Sequence, residues 1–304
     1  MRTILDLERI DSRFIAHDNH NEIRLFAVVR NESLRLPFFI EYYRKLGVDR
    51  FFFIDNDSTD PSKEIVLSNN DTYLFSTKES YSSSSSGIDW LNALHQEYGL
   101  NTWSLFIDAD EILVYPNSET QNLRSLAKIL ENDNSNVLKC ILLDMYSKNA
   151  IKDCNYISGQ DPATVCQYFD SDNYYLTNLN QLSGGPRRRV FSIDVCLDKF
   201  AFFKFNSPYQ VGIGAHLIGE EARISKLRGA SLHYKFIKEF CNLAHNEVVR
   251  NEQWNNACEY KTYSQFLKSN PSCSFWSKES QKYENTQQLE QLGLIGYSTK
   301  LPSQ

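Results

Sequence analysis

The stretch WSLFIDADEILVY, Trp103 to Tyr115, decides the fold. Trp103 to Ile107 is a largely apolar run, too short for a confident helix, so it reads as a buried strand. It runs directly into Asp108, Ala109, Asp110 and Glu111, and three carboxylates therefore arrive together where a strand ends. Side chains alternate faces along a strand, which predicts Asp108 and Asp110 on one side, close enough to share a divalent cation or its water shell. A hard cation placed there offsets the charge of two phosphates and of a departing oxygen. A solvated acidic turn is the competing reading, and only context separates the two.

Upstream, Ile23 to Val29 (IRLFAVV) reads as the first core strand and stops at Arg30-Asn31-Glu32-Ser33. A helix follows over about 37–46, with Pro37 suited to its first turn, Phe38, Tyr42 and Leu46 at helical spacing, and Gly47 to stop it. Arg50 to Ile54 (RFFFI) supplies a second strand, ending in Asp55-Asn56-Asp57-Ser58-Thr59-Asp60 ahead of Pro61. A strand, helix and strand joined by a right-handed crossover are parallel neighbours, so Asn31 and Asp55 fall on the same sheet edge, where open α/β sheets place ligands. A third strand spans about 72–75, five consecutive serines from Ser82 to Ser86 form a surface loop, and a helix over about 87–98 returns the chain to the opening strand.

Downstream, a short helix over 123–130 precedes an apolar strand, Val137 to Leu143, ending at Asp144-Met145-Tyr146. Asp144 at a strand end is a candidate general base, or else a structural cap. Residues 147–182 hold no long periodic segment and read as an irregular, acceptor-side insertion. In Gly184-Gly185-Pro186-Arg187-Arg188-Arg189 the glycines permit close backbone approach, and three adjacent arginines call for an anion such as diphosphate or for carboxylates. A solvated basic turn is the alternative. Residues 230–236 (ASLHYKF) alternate like a strand and project His233 and Lys235 to one face, as a third metal ligand and a phosphate contact, or as packing. Residues 239–267 read as helical, and the remainder as a polar tail.

The 304 residues fit one sizeable α/β domain with additions. The organisation expected is a nucleotide-binding and catalytic portion over 1–236 and a helical C-terminal extension over 237–304. A formal charge of -6 argues against general nucleic-acid binding, which needs a basic face. Seven widely spaced cysteines without a C-x-x-C pair read as reduced thiols of a cytoplasmic protein. The first twenty residues are too charged for a secretory leader, and no apolar segment is long enough to span a bilayer, so membrane contact is limited to a peripheral kind.

In order, VVRNE (28–32), FFFIDNDSTD (51–60), WSLFIDADEIL (103–113), LLDMYS (142–147), GGPRRRVF (184–191) and LHYKF (232–236) resemble the family 2-like glycosyltransferases of GT-A fold. The resemblance implies a Rossmann-like mixed sheet flanked by helices. It implies that Asn31, Glu32 and Asp55, with Arg30 and Asp57 in the same elements, hold the nucleotide. It implies that Asp108 and Asp110 are the metal pair, with His233 as a C-terminal metal or diphosphate ligand. Arg187, Arg188, Arg189 and Lys235 are then candidates for the remaining phosphate charge, and Asp144 is the nearest match to the base, although the family's Glu-Asp pair is absent. The activity implied is Mn²⁺- or Mg²⁺-dependent, inverting transfer of a sugar from a nucleotide diphosphate sugar, UDP-linked, to a hydroxyl of a glycan, lipid-linked or small-molecule acceptor. Two rivals are a nucleotidyltransferase, which normally places a glycine-rich loop after its first strand, and a non-catalytic carbohydrate-binding protein, which has no need of the acidic pair.

Overall fold

The computed structural model describes residues 7–15 and 19–301, so part of the charged N-terminal stretch in which no leader is expected lies outside them. Among the described residues no helix is long and apolar enough to cross a membrane. The chain divides into two compact units interleaved in sequence: Met1–Ala109, Asn117–Lys139 and Lys199–Leu227 form one, and Asp110–Pro116, Cys140–Asp198 and Arg228–Gln304 the other. Residues 237–304 thus fall within the second unit.

The first unit is the α/β, Rossmann-like part expected from the apolar runs. Its strands lie in the order Glu8–Arg9, Thr72–Ser76, Arg50–Asp55, Ile23–Val29, Trp103–Phe106 and, from Lys199 onward, Asp198–Phe203. The central pairs are parallel and the outer ones antiparallel, a mixed sheet. The RFFFI run shows why both faces are apolar: Phe52 stacks on Tyr98 of the helix Ile88–Tyr98 at 5.1 Å, whereas Phe53, on the other face, meets Phe39 of the helix Leu36–Leu46 at 6.2 Å. Each such ring removed from water contributes about 1.5–3 kcal/mol, so burying them on both faces clamps helices to both sides of the sheet. The helix Leu36–Leu46 buries Leu36, Phe39, Ile40, Tyr43 and Leu46, a stripe rotated from the expected one; Phe38 and Tyr42 are half-buried and stack on each other at 6.0 Å. Gly47 ends it as expected, in the left-handed conformation at φ 109°.

In the second unit the strand segment ending at Asp144 is followed across the sheet by that ending at His233 and then by Glu111–Val114. The last two are antiparallel, with His233 opposite Glu111. Residues 147–182 contain short turns and two strands of small two-stranded pairings, Tyr168–Asp170 with Ser280–Lys282 and Tyr174–Leu176 with Leu182–Gly184. Phe191, Phe236, Phe240, Tyr263 and Phe275 centre the apolar core of this unit.

Two sequence expectations change here. The helical stretch 239–267 is broken at Asn251, the left-handed cap of Phe240–Arg250, and the following element, Trp254–Ser269, is itself kinked where Asn255, Asn256 and Ala257 take positive φ. Asparagine tolerates that conformation through local hydrogen bonding, and periodicity alone does not register it. The GGPRRRVF run is a helix, Gly185–Phe191, with proline in its first turn.

Candidate active site

In the first unit the ends of two parallel strands are tied together. Val29 lies in register with Asp55, so the loops that follow start side by side. Asn31, at φ 56°, accepts from the Thr59 backbone N–H at 2.7 Å through its side-chain oxygen, and its own N–H donates to Ser58 Oγ at 2.9 Å. The Glu32 N–H donates to Ser62 Oγ at 2.8 Å, and the Ser33 N–H to Asp60 at 3.0 Å. Arg30 donates to the Asn56 carbonyl and lies 3.9 Å from Asp57. Asp55 is fully buried: its Oδ2 accepts from the Ser58 N–H at 3.1 Å and pairs with Lys63 at 3.2 Å, while its Oδ1 has no hydrogen-bond partner among the described residues. A buried carboxylate oxygen left open is costly, and a ligand donor is one way to satisfy it.

The DADE turn separates the strands Trp103–Phe106 and Glu111–Val114. Its two aspartates have different partners. Asp108 is 53% exposed and pairs with the buried Lys199 ammonium at 3.2 Å. Asp110 lies 3.4 Å from His233 Nε2, and its carbonyl accepts from the Tyr234 N–H at 2.7 Å, which pins the turn to the strand carrying the histidine. Lys199 was not singled out from sequence; a lone lysine opening the apolar KFAFF strand was the signal, since a buried ammonium requires a carboxylate.

His233 Nδ1 lies 2.7 Å from Asp144 Oδ1, and Asp144 Oδ2 accepts from Arg187 Nε at 2.7 Å. Asp110, His233, Asp144 and Arg187 thus form one chain of contacts in which Asp144 and Arg187 are almost wholly buried. Burial opposes the charge on Asp144, but Arg187 and His233 outweigh it and hold the carboxyl below its ordinary range. Burial likewise opposes a charged His233, but Asp110 and Asp144 raise the imidazole above its ordinary value. Asp144, expected as the general base, has both oxygens engaged and is 2% exposed, which places it to orient Arg187 and His233.

The arginine run does not converge on one anion. Successive residues of a helix point about 100° apart, and Arg187, Arg188 and Arg189 accordingly reach three different carboxylates: Asp144 at 2.7 Å, Asp194 at 3.5 Å and Asp170 at 2.8 Å. Arg189 is bidentate to Asp170 and also donates to the Phe275 carbonyl at 2.6 Å. Nor does the pair of glycines cradle a phosphate: Gly184 has φ 119°, and a Cβ there would lie 2.1 Å from the Asn173 carbonyl oxygen, so the close approach is to the chain's own backbone. Lys235, expected as a phosphate contact, turns into aromatic surroundings, with its ammonium 4.6 Å from the Tyr260 ring centre and within 6 Å of those of Phe240 and Tyr263.

The pair Asp110 and His233 fits a divalent ion. Ligand bonds of about 2.1 Å at right angles separate two ligand atoms by about 3 Å, close to the 3.4 Å observed here. The ring nitrogen turned away from Asp110 is held by a carboxylate, as metal-ligating histidines normally are. Among the described residues no group of three or more His, Cys, Asp and Glu gathers in metal-holding geometry.

No protein-family model matches the sequence, and no curated protein matches it. Among solved structures the chain is similar to S. aureus TarS, with a TM-score of 0.34 and 14% identity over 83% of this chain and 44% of that one. It is similar to a mycobacterial protein with a TM-score of 0.30 and 15% identity, over 41% and 42% of the two chains. A third likeness is to 4-diphosphocytidyl-2C-methyl-D-erythritol synthase, with a TM-score of 0.30 and 13% identity over 46% and 66%. The chain spans less than half the length of the first two and about two thirds of the third. Likenesses this distant assign no chemistry, which rests on the residues.

Proposed function

We propose that the chain is a glycosyltransferase of GT-A type that moves a sugar from a UDP-linked donor to an acceptor hydroxyl, with inversion and with Mn²⁺ or Mg²⁺. The observation that carries this reading is the pairing of Asp110 with His233 Nε2 at 3.4 Å, in a histidine whose other nitrogen is held by Asp144. The ordered motif resemblance and the open Asp55 oxygen support it. Asp110 and His233 would hold the cation. When bound, such an ion offsets charge on the departing nucleoside diphosphate.

The chain's own residues supply the rest. Asp55 accepts a hydrogen bond from the nucleotide base, and the interlocked loops holding Arg30, Asn31, Glu32 and Asp57 fix the ribose side. Each is already held by the neighbouring loop, so little ordering cost remains at binding. The arginines and Lys235 act through folding and orientation and not by touching phosphate. Incubation with a panel of UDP-sugars and Mn²⁺ tests the proposal. Free UDP should accumulate, and chelator or Asp110→Ala should abolish it; pyrophosphate release, or UDP release indifferent to chelator, would contradict it.

A further inference from the structure

We infer that Asp144 and Arg187 are positioning residues that dictate which ring nitrogen of His233 faces Asp110. The inference deepens the metal-dependent reading above and rests on it for its consequence, though not for its geometry. Arg187 Nε can only donate, and it donates to Asp144 Oδ2 at 2.7 Å. The remaining oxygen, Oδ1, can only accept, so His233 Nδ1 at 2.7 Å carries the hydrogen of that contact. Nε2 is then the nitrogen directed at Asp110. The ring is further fenced by Phe236, edge-on at 6.2 Å, which limits rotation about its Cβ.

Arg187 reaches this position because of the glycines before it. Gly184 takes φ 119° hard against Asn173, so the helix Gly185–Phe191 begins where its second basic-run neighbour, Arg188, faces outward while Arg187 faces in. Arg187 Nη2 is buried and has no hydrogen-bond partner among the described residues. The GGPR run, which suggests a phosphate cradle, thereby serves to aim a histidine.

Asp144→Asn separates aim from mere structure. Because Arg187 demands an acceptor, the amide oxygen turns to Arg187 and the amide nitrogen, a donor, faces His233 Nδ1. Nδ1 then has to accept, and the ring hydrogen moves to Nε2, where a cation would bind. Ring ¹⁵N spectra of histidine-labelled protein, with His233 assigned by His233→Gln, should show a hydrogen on Nδ1 in the wild-type protein and on Nε2 alone in Asp144→Asn. Mn²⁺ binding followed by electron paramagnetic resonance should weaken about 10- to 100-fold in Asp144→Asn. A wild-type Nδ1 without hydrogen overturns the inference even if the variant does not fold, and so does a folded variant that keeps Nδ1–H or wild-type Mn²⁺ affinity. Wild-type protein that binds no Mn²⁺ yet gives the expected ring spectra would overturn the metal reading and leave the positioning intact.

Discussion

Replacing Arg187 with methionine removes the guanidinium while keeping an unbranched side chain in its place. The ion pair with Asp144 is buried on both sides, with 5% and 1% side-chain exposure, so solvent does not screen it. Breaking such a pair from one side typically costs about 3–5 kcal/mol, because the surviving charge is stranded. Two features reduce the figure here. His233 still meets one Asp144 oxygen, and the wild-type Nη2, an unpartnered donor that itself costs about 1–3 kcal/mol, disappears with the substitution. The net expectation is a loss of about 3 kcal/mol, a large share of the roughly 5–15 kcal/mol that holds a folded protein together. Urea unfolding at pH 7.5 measures it. The pH dependence adds a signature: Asp144 has a depressed folded-state pKa, so its stabilisation is present above the unfolded carboxylate value and fades as pH falls through the folded one. The gap between Arg187→Met and wild type should therefore narrow below about pH 4. A variant within about 0.5 kcal/mol of wild type at pH 7.5 would refute the reasoning, since that is the range of ordinary surface changes.

Asp55→Asn should weaken UDP binding about tenfold or more, the worth of a hydrogen bond to a charged group, as read by calorimetry. Lys235→Met should lower stability by about 1–2 kcal/mol through loss of the aromatic contacts, with UDP affinity unchanged; a selective loss of UDP affinity would restore its role as a phosphate contact. Gly184→Ala should destabilise the protein and, in what remains folded, weaken Mn²⁺ binding, because its Cβ collides with backbone and shifts the helix bearing Arg187. His95 sits among Phe26, Phe106 and Phe203, and burial pushes its pKa down to about 3. The unfolded chain binds the proton first, so lowering the pH from 8 to 5 should cost about 2 kcal/mol through this residue; His95→Phe should remove that slope, and an unchanged slope would exclude His95 as its source.

The parallel core of the first unit was readable because its strands are near-continuous apolar runs, and its helices because proline and glycine bracket them. IRLFAVV and RFFFI form adjacent parallel strands with Asp55 where a strand ends, and the Gly47 stop falls where the sequence put it. The helix face was harder: Phe38 and Tyr42 are as apolar as Phe39 and Tyr43, and only the position of the sheet selects between them. In the candidate site, His233 and Asp144 could be placed at strand ends, but not their mutual contact, which depends on long-range packing. The arginines misled because a run of like charges suggests one anion, whereas helical geometry sends each to its own carboxylate. Two left-handed asparagines and an alanine near Trp254 illustrate a further limit, since hydrophobic spacing carries no information on the sign of φ.

The claim on which the rest depends is that this chain binds a nucleoside diphosphate through a cation. Calorimetric titration of UDP into the wild-type protein, once with Mn²⁺ and once with excess EDTA, tests it most directly. Saturable binding with Mn²⁺ that disappears in EDTA and in Asp110→Ala is the predicted result. Equal binding in both buffers, or none in either, would contradict it.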